Sequence, residues 1–278
     1  MNRQRASEPA IRRPRSLIWP GLLILVVSWV LTLLATAPIT LIPVSRLALP
    51  PGVQLTPLSG TLWHGQWRLN LPRMPAMTIK TDFLPLSIMR LQPAWHVRAQ
   101  TDALGSQPDS GLNVSADVAL GSSELSIRNV RGRLDAGSPW VTSLTVWPLN
   151  GLIDVTGDAT FVGASGGLAL QSAQAAANWR NAQVTTTEPL SLGDLVVTAD
   201  VAPGRLNVMA KPASASGGPL RGELVVSGVW PLTKAPTVQG YLQPTIQASN
   251  TLTQQLSLFG RPDASGKITV HEVLPGRY

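Results

Sequence analysis

The chain has 278 residues, 44% of them apolar, so it carries material for a core and is too apolar for wholesale disorder. Only 13% are charged, about half the usual quarter, which argues against a free cytosolic protein. It has no cysteine, which excludes disulfides, thiolate zinc sites, iron–sulfur clusters and a cysteine nucleophile, and its 24 Gly and 24 Pro argue against an all-helical fold.

The net charge of +7 suggests a nucleic-acid partner until the charges are located. Residues 1–15 hold Arg3, Arg5, Arg12, Arg13 and Arg15 against Glu8, whereas the rest of the chain carries 17 basic and 14 acidic residues. A nucleic-acid binder concentrates positive charge on its folded domain. Here the basicity is mostly a tail, and no nucleic-acid partner is expected.

In chain order, residues 1–16 read as a basic cytoplasmic tail and 17–42 as a transmembrane helix. Residues 17–42 are almost continuously apolar, and no charge occurs from Ser16 to Ser45. As helix these 26 positions reach ~39 Å, more than the ~30 Å hydrocarbon core requires. Pro20 falls in the first turn, where its missing N–H is harmless, and Pro38 and Pro43 end the helix. Five arginines before the run and a lone Arg46 after it put the N-terminus in the cytoplasm. The rival reading is a signal peptide cleaved after Ala35-Thr36-Ala37. It is disfavoured because the apolar run exceeds the usual h-region and Pro38 would become the first mature residue.

Residues 43–278 read as one exported, antiparallel β domain of ten or more strands. Period-two alternation runs through Leu112–Val118, Leu125–Arg128, Val141–Val146, Leu152–Phe161, Leu195–Val201, Glu223–Val229 and Lys267–Val273, with turn residues between. Asn150-Gly151 predicts a two-residue hairpin turn. One or two short helices are expected at most. Thr251–Leu258 is the helical segment, stopped before Gly260 and Pro262, whereas Ala173–Ala177 reads as strand despite its alanines. Val146-Trp147-Pro148-Leu149 with Gly157 echoes Val229-Trp230-Pro231-Leu232 with Gly240, either as an internal repeat or as two similar strand ends.

No catalytic centre emerges. Gly163-Ala164-Ser165-Gly166-Gly167 fits G-x-S-x-G, with Asp194 and His271 following in hydrolase order. A nucleophile elbow needs a strand before the serine and a helix after it, and here two more glycines follow, as in a hairpin loop. His64, His96 and His271 are isolated in sequence and show no metal-ligand spacing. His64, between Trp63 and Trp67, reads as a partner in an aromatic cluster. Nothing resembles a phosphate or dinucleotide loop, so no metal or cofactor is expected. Trp63, Trp67, Trp95, Trp140, Trp147, Trp179 and Trp230 serve either as core and strand-end packing or as an apolar interaction surface.

Leu58-Ser59-Gly60-Thr61-Leu62-Trp63-His64-Gly65 resembles the S-G-T-[VL]-W-x-G signature of protein N of the type II (general) secretion pathway, with His64 where that family carries Gln. The resemblance continues in order through Trp179-Arg180-Asn181-Ala182, Leu192-Gly193, Gly217-Gly218-Pro219-Leu220, Gly228 and Gly240. It closes on Leu258-Phe259-Gly260-Arg261-Pro262-Asp263, and residues 83–140 carry none of it. It implies a non-enzymatic, single-span component of the bacterial inner membrane that supports export of folded proteins through contacts with other inner-membrane or periplasmic secretion components. The domain also looks similar to AsmA-like envelope proteins, whose curved sheets are associated with lipid handling. That similarity leaves a periplasmic lipid or hydrophobic-ligand binder as the alternative. The motif residues Ser59, Gly60, Thr61, Trp63, Gly65, Trp179, Gly193, Gly218, Gly228, Gly240, Gly260, Pro262 and Asp263 are expected to be structural or interfacial rather than chemical.

Overall fold

The fold was obtained as a computed structural model that describes residues 18–41, 52–72, 74–101, 111–143, 145, 147–164, 167–185, 188–214, 217–232, 234–257 and 260–273. The basic tail and residues 42–51 lie outside the described residues.

The apolar run forms helix α1, Ile18–Thr36. Its two threonine hydroxyls are satisfied within the helix: Thr32 Oγ1 donates to the Ser28 carbonyl and Thr36 Oγ1 to that of Thr32, both at 2.8 Å. The helix stops six residues before the expected Ile42, because Pro38 disfavours helical geometry in the residue before it and cannot donate to the ladder. A short 3-10 turn, Ile39–Leu41, follows. Among the described residues no helix is long and apolar enough to cross a membrane. The 19 residues of α1 reach ~28 Å, just short of the ~30 Å hydrocarbon core.

The rest is one antiparallel sheet of 13 strands in strict sequence order. These are β1 Gln54–Gly60, β2 His64–Asn70, β3 Met77–Phe83, β4 Ala94–Thr101, β5 Asn113–Leu120, β6 Glu124–Asp135 and β7 Leu149–Ala164. They are followed by β8 Gly167–Thr185, β9 Pro189–Ala202, β10 Arg205–Pro212, β11 Leu220–Gly228, β12 Thr237–Pro244 and β13 Ile268–Val273. Two short helices interrupt them, α2 Pro139–Thr142 and α3 Asn250–Leu256. The expected mainly β, antiparallel class holds.

Two local expectations fail. Asn150-Gly151 does not turn the chain. It lies inside β7 at a register shift between Asn150 and Leu152, where the positive φ of Gly151 (113°) absorbs a bulge while pairing with β8 continues. The alternating Val141–Val146 is not a strand either, since Pro139–Thr142 makes one helical turn with Pro139 at its start; residues 144 and 146 lie outside the described residues. The Trp-Pro-Leu echo diverges too. Leu149 opens β7 directly, whereas Leu232 sits in a loop before β12.

Alternation sorts the sheet into two faces. Ile79, Ala99, Val114, Gly132, Val155, Ala177, Val197, Ala210, Leu224 and Gly240 follow one another in register across ten strands. This apolar face has no second layer along its middle among the described residues, and its valines there are only half-buried. It is closed at two corners. At one, Leu252 and Leu256 of α3 pack with Leu190, Leu220 and Ile268 into a buried cluster. The Ser249 side chain caps α3 by accepting from Leu252 N at 3.0 Å, and the i, i+4 spacing of the two leucines aims both inward. At the other corner the segment leaving α1 settles on β2.

Candidate functional site

The first signature motif sits where α1 meets the sheet. Ala37 accepts a hydrogen bond from Leu62 N at 3.0 Å, Pro38 bridges Thr61, and Ile39 is buried. Each motif residue has a physical task there. Gly60 adopts φ 104°, and a Cβ on it would overlap the His64 carbonyl oxygen, so only glycine closes this turn. Thr61 N donates to His64 O at 2.9 Å, while its Oγ1 accepts from the amides of Trp63 and His64 at 3.3 and 3.2 Å. A Cβ on Gly65 would overlap Ile39 Cδ1. Ser59 completes the strand after a register shift at Pro57, which also disrupts this edge of the sheet.

Trp63 stacks edge-on against Phe83 with centroids 4.6 Å apart, and Phe83 against Trp95 at 5.4 Å. Trp95 Nε1 donates to Leu62 O at 3.3 Å. Trp67, in register with Ile79, is buried on the same apolar face. His64 does not join this cluster, contrary to expectation. Strand alternation turns it to the opposite, polar face, where Nδ1 lies 3.1 Å from Asp82 Oδ1.

The remaining motif residues shape backbone at other places. Trp179 donates from Nε1 to the Asn150 carbonyl at 3.0 Å, against the Gly151 bulge. Gly193 (φ 78°) lies at the next register shift, where a Cβ would meet Pro219 Cδ at 2.8 Å. Gly218 donates to Gln247 Oε1 at 3.1 Å, and Gly228 lies under Pro236. Gly240 (φ 150°) passes so close to β11 that a Cβ would overlap the Glu223 carbonyl oxygen. Gly260 packs near Ile268, and exposed Pro262 leads into a turn held by Asp263, whose Oδ1 accepts from Ser265 N at 2.8 Å and Lys267 N at 3.0 Å. The hydrogen bond from Ser265, with those from the backbone, holds the Asp263 carboxyl below the usual range. These residues do not converge on one point; the sheet distributes them.

The hydrolase-like arrangement dissolves. Ala164 pairs with Gly167, so β8 follows the loop where an elbow requires a helix. Ser165 itself lies outside the described residues. Asp194 of β9 accepts from Asn181 N at 2.7 Å, and His271 is exposed on β13, four strands away. Among the described residues no group of three His, Asp or Glu side chains is placed to hold a metal.

The polar face carries an arrangement that sequence separation concealed. His64, Asp82, His96 and Asp117 stand opposite one another on β2 to β5. His96 Nδ1 lies 2.7 Å from Asp117 Oδ1, and Asn129 Nδ2 donates to Asp117 Oδ2 at 2.8 Å. Past a bulge in β6 the row continues through Asp158, Gln174, Asp200, Asn207, Ser227 and Thr237. Burial pushes the Asp117 carboxyl up, but the hydrogen bonds from His96 and Asn129 and the nearby charges outweigh it and leave it below the ordinary range. Arg133 Nε at 2.8 Å and Arg180 Nη2 at 2.6 Å hold Asp154, whose carboxyl is likewise lowered, by the Arg133 hydrogen bond above all. A shallow depression of about 550 Å³ lies along this row, with Thr156 and Thr198 on its floor and Asp158 and Asp200 beside them. The row joins strands; it holds no nucleophile–base pair.

Comparison with curated proteins and with solved structures gave no match. The sequence does match the family described as Type II secretion system (T2SS), protein N, over residues 51–271, a stretch that starts just before β1 and ends inside β13. It thus takes in the Gly60–Gly65 corner, the bulged centre of the sheet and the α3 clasp alike, and over that whole length the chain belongs to the type II secretion system protein N family.

Proposed function

We propose that this protein is a non-enzymatic inner-membrane component of type II secretion that works through its surfaces. In this reading the apolar segment 17–42, with α1 as its described helical part, is the single anchor, residues 1–16 lie in the cytoplasm and the sheet stands in the periplasm. The observation that carries it is the corner where Ala37–Ile39 docks on Thr61–Gly65, since a helix joined to the sheet by packing holds it in a defined attitude at the membrane. Anchoring also raises the effective concentration of the sheet near other anchored components. Family membership supports secretion as the process served.

The test is a deletion strain complemented with variants. Loss of the gene should reduce export of folded periplasmic enzymes, and the full-length protein should restore it. Single Ser165→Ala, His64→Ala, His96→Ala and His271→Ala proteins should restore it as well. A folded, membrane-bound variant among these four that blocked export would reveal a reactive site and overturn the reading. Alkaline phosphatase joined after residue 60 should be active, and a mature N-terminus at Pro38 would refute the anchor.

The uncovered apolar face favours a second reading, a binder of lipid or another hydrophobic ligand. Protein purified from membranes would then carry stoichiometric lipid, identifiable by mass spectrometry, and Val155→Asp on that face would lose it.

A further inference from the structure

The connection between β3 and β4 is built inside out. Its 3-10 turn, Pro85–Arg90, uses the Ser87 side chain to bind backbone: Oγ donates to Leu84 O and accepts from Ala94 N at 3.0 Å. The apolar side chains point the other way, with Leu86 77%, Ile88 54%, Met89 84% and Leu91 89% exposed. Four large exposed apolar residues within six positions form a continuous patch, unlike the scattered single ones that surfaces normally tolerate.

Its position names the occupant. In an antiparallel meander the β1–β2 and β3–β4 connections share one end of the sheet, and α1 arrives at that end through the Ala37–Leu62 hydrogen bond. Phe83 N donates to Trp63 O at 2.7 Å, so the turn begins two residues from the strand end that is bonded to the α1 corner. The rim continues the same way. Leu120 N donates to Pro93 O and Gly163 N to Ser123 O, and Leu120 and Leu168 are exposed beside these bonds. A surface that surrounds α1 therefore meets this turn first.

We infer that the turn Pro85–Leu91 is a second membrane contact, inserting Leu86, Ile88, Met89 and Leu91 into the lipid interface beside α1. The inference rests on the reading of segment 17–42 as the anchor. The two contacts together fix the sheet with its α1 end on the bilayer and the α3 end away from it.

The absence of cysteine allows a clean test. Full-length Leu25→Cys, Met89→Cys and Ile246→Cys proteins, each labelled with an environment-sensitive fluorophore, are reconstituted into phosphatidylcholine vesicles whose acyl chains carry nitroxide quenchers. Leu25 reports on α1, and exposed Ile246 on the opposite end of the sheet. Quenching at positions 25 and 89 but not 246 is the expected result. Quenching at 25 alone overturns the second contact and spares the anchor. Quenching at 89 alone supports the contact and overturns the anchor. Quenching at neither 25 nor 89 overturns both, and equal quenching at 25, 89 and 246 overturns the orientation. A Met89 label that is shielded from water yet not quenched identifies a protein partner in place of lipid and overturns the proposal.

Discussion

Ile39 closes over Gly65 so tightly that a single added methyl group on Gly65 would overlap its Cδ1, and Ile39 is 2% exposed as a result. This contact joins residues 26 positions apart, one just beyond α1 and the other in β2. Ile39→Ala should destabilise the protein by about 2–5 kcal/mol through the cavity left behind, and Gly65→Ala by about 1–3 kcal/mol through overpacking. The double variant should cost less than the sum, with a coupling of about 0.5–3 kcal/mol in chemical denaturation of the detergent-solubilised protein. Strict additivity would show that the two do not touch in solution.

Trp63→Ala removes the first ring of the Trp63–Phe83–Trp95 stack. Because Trp63 is only half-buried, the loss should fall below the ~3–5 kcal/mol typical of a core tryptophan. It should lower the thermal midpoint and weaken the near-ultraviolet circular dichroism. A variant with unchanged stability but failed export would move Trp63 from packing to an interface.

Gly240 and Gly204 both have positive φ, yet their surroundings differ. A Cβ at Gly240 overlaps the Glu223 carbonyl, whereas nothing lies within 4 Å at Gly204. Gly240→Ala should therefore be strongly destabilising, by more than ~1 kcal/mol, while Gly204→Asn, in a left-handed turn that asparagine tolerates, should stay within a few tenths to ~1 kcal/mol. Denaturant midpoints of the two variants check this contrast.

Acid should weaken the sheet partly through Asp117. Its carboxyl sits below the ordinary value in the folded protein, so the unfolded chain binds its proton first as pH falls. The stabilisation is complete above the unfolded value of about 3.9 and disappears as pH drops through the folded one. Asp117→Asn should thus shrink the difference in thermal midpoint between about pH 6 and pH 3. It should not abolish it, because Asp154, lowered chiefly by Arg133, contributes in the same direction.

The amino-acid sequence alone determined the class of this protein. A long uncharged apolar run favours a buried or membrane-bound helix, and period-two alternation favours a sheet with two unlike faces, so α1 and the strands β5 to β9, β11 and β13 were legible. The ordered short motifs from Gly60 to Asp263 were legible as a family pattern, and Gly60, Gly193, Gly218 and Gly240 among them answer a backbone demand for positive φ. Tertiary structure alone decided what local signals leave ambiguous. Asn150-Gly151 suits a turn or a bulge equally, and the unbroken pairing with β8 selected the bulge. His64 lies beside two tryptophans in sequence, but the pleat sent it to the other face to meet Asp82, 18 residues away. Ile39 found Gly65, and His96 found Asp117, for the same reason. Alternation specifies which face a side chain takes, whereas its partner is set by the register of strands and the path of the chain between them, both of which are long-range properties.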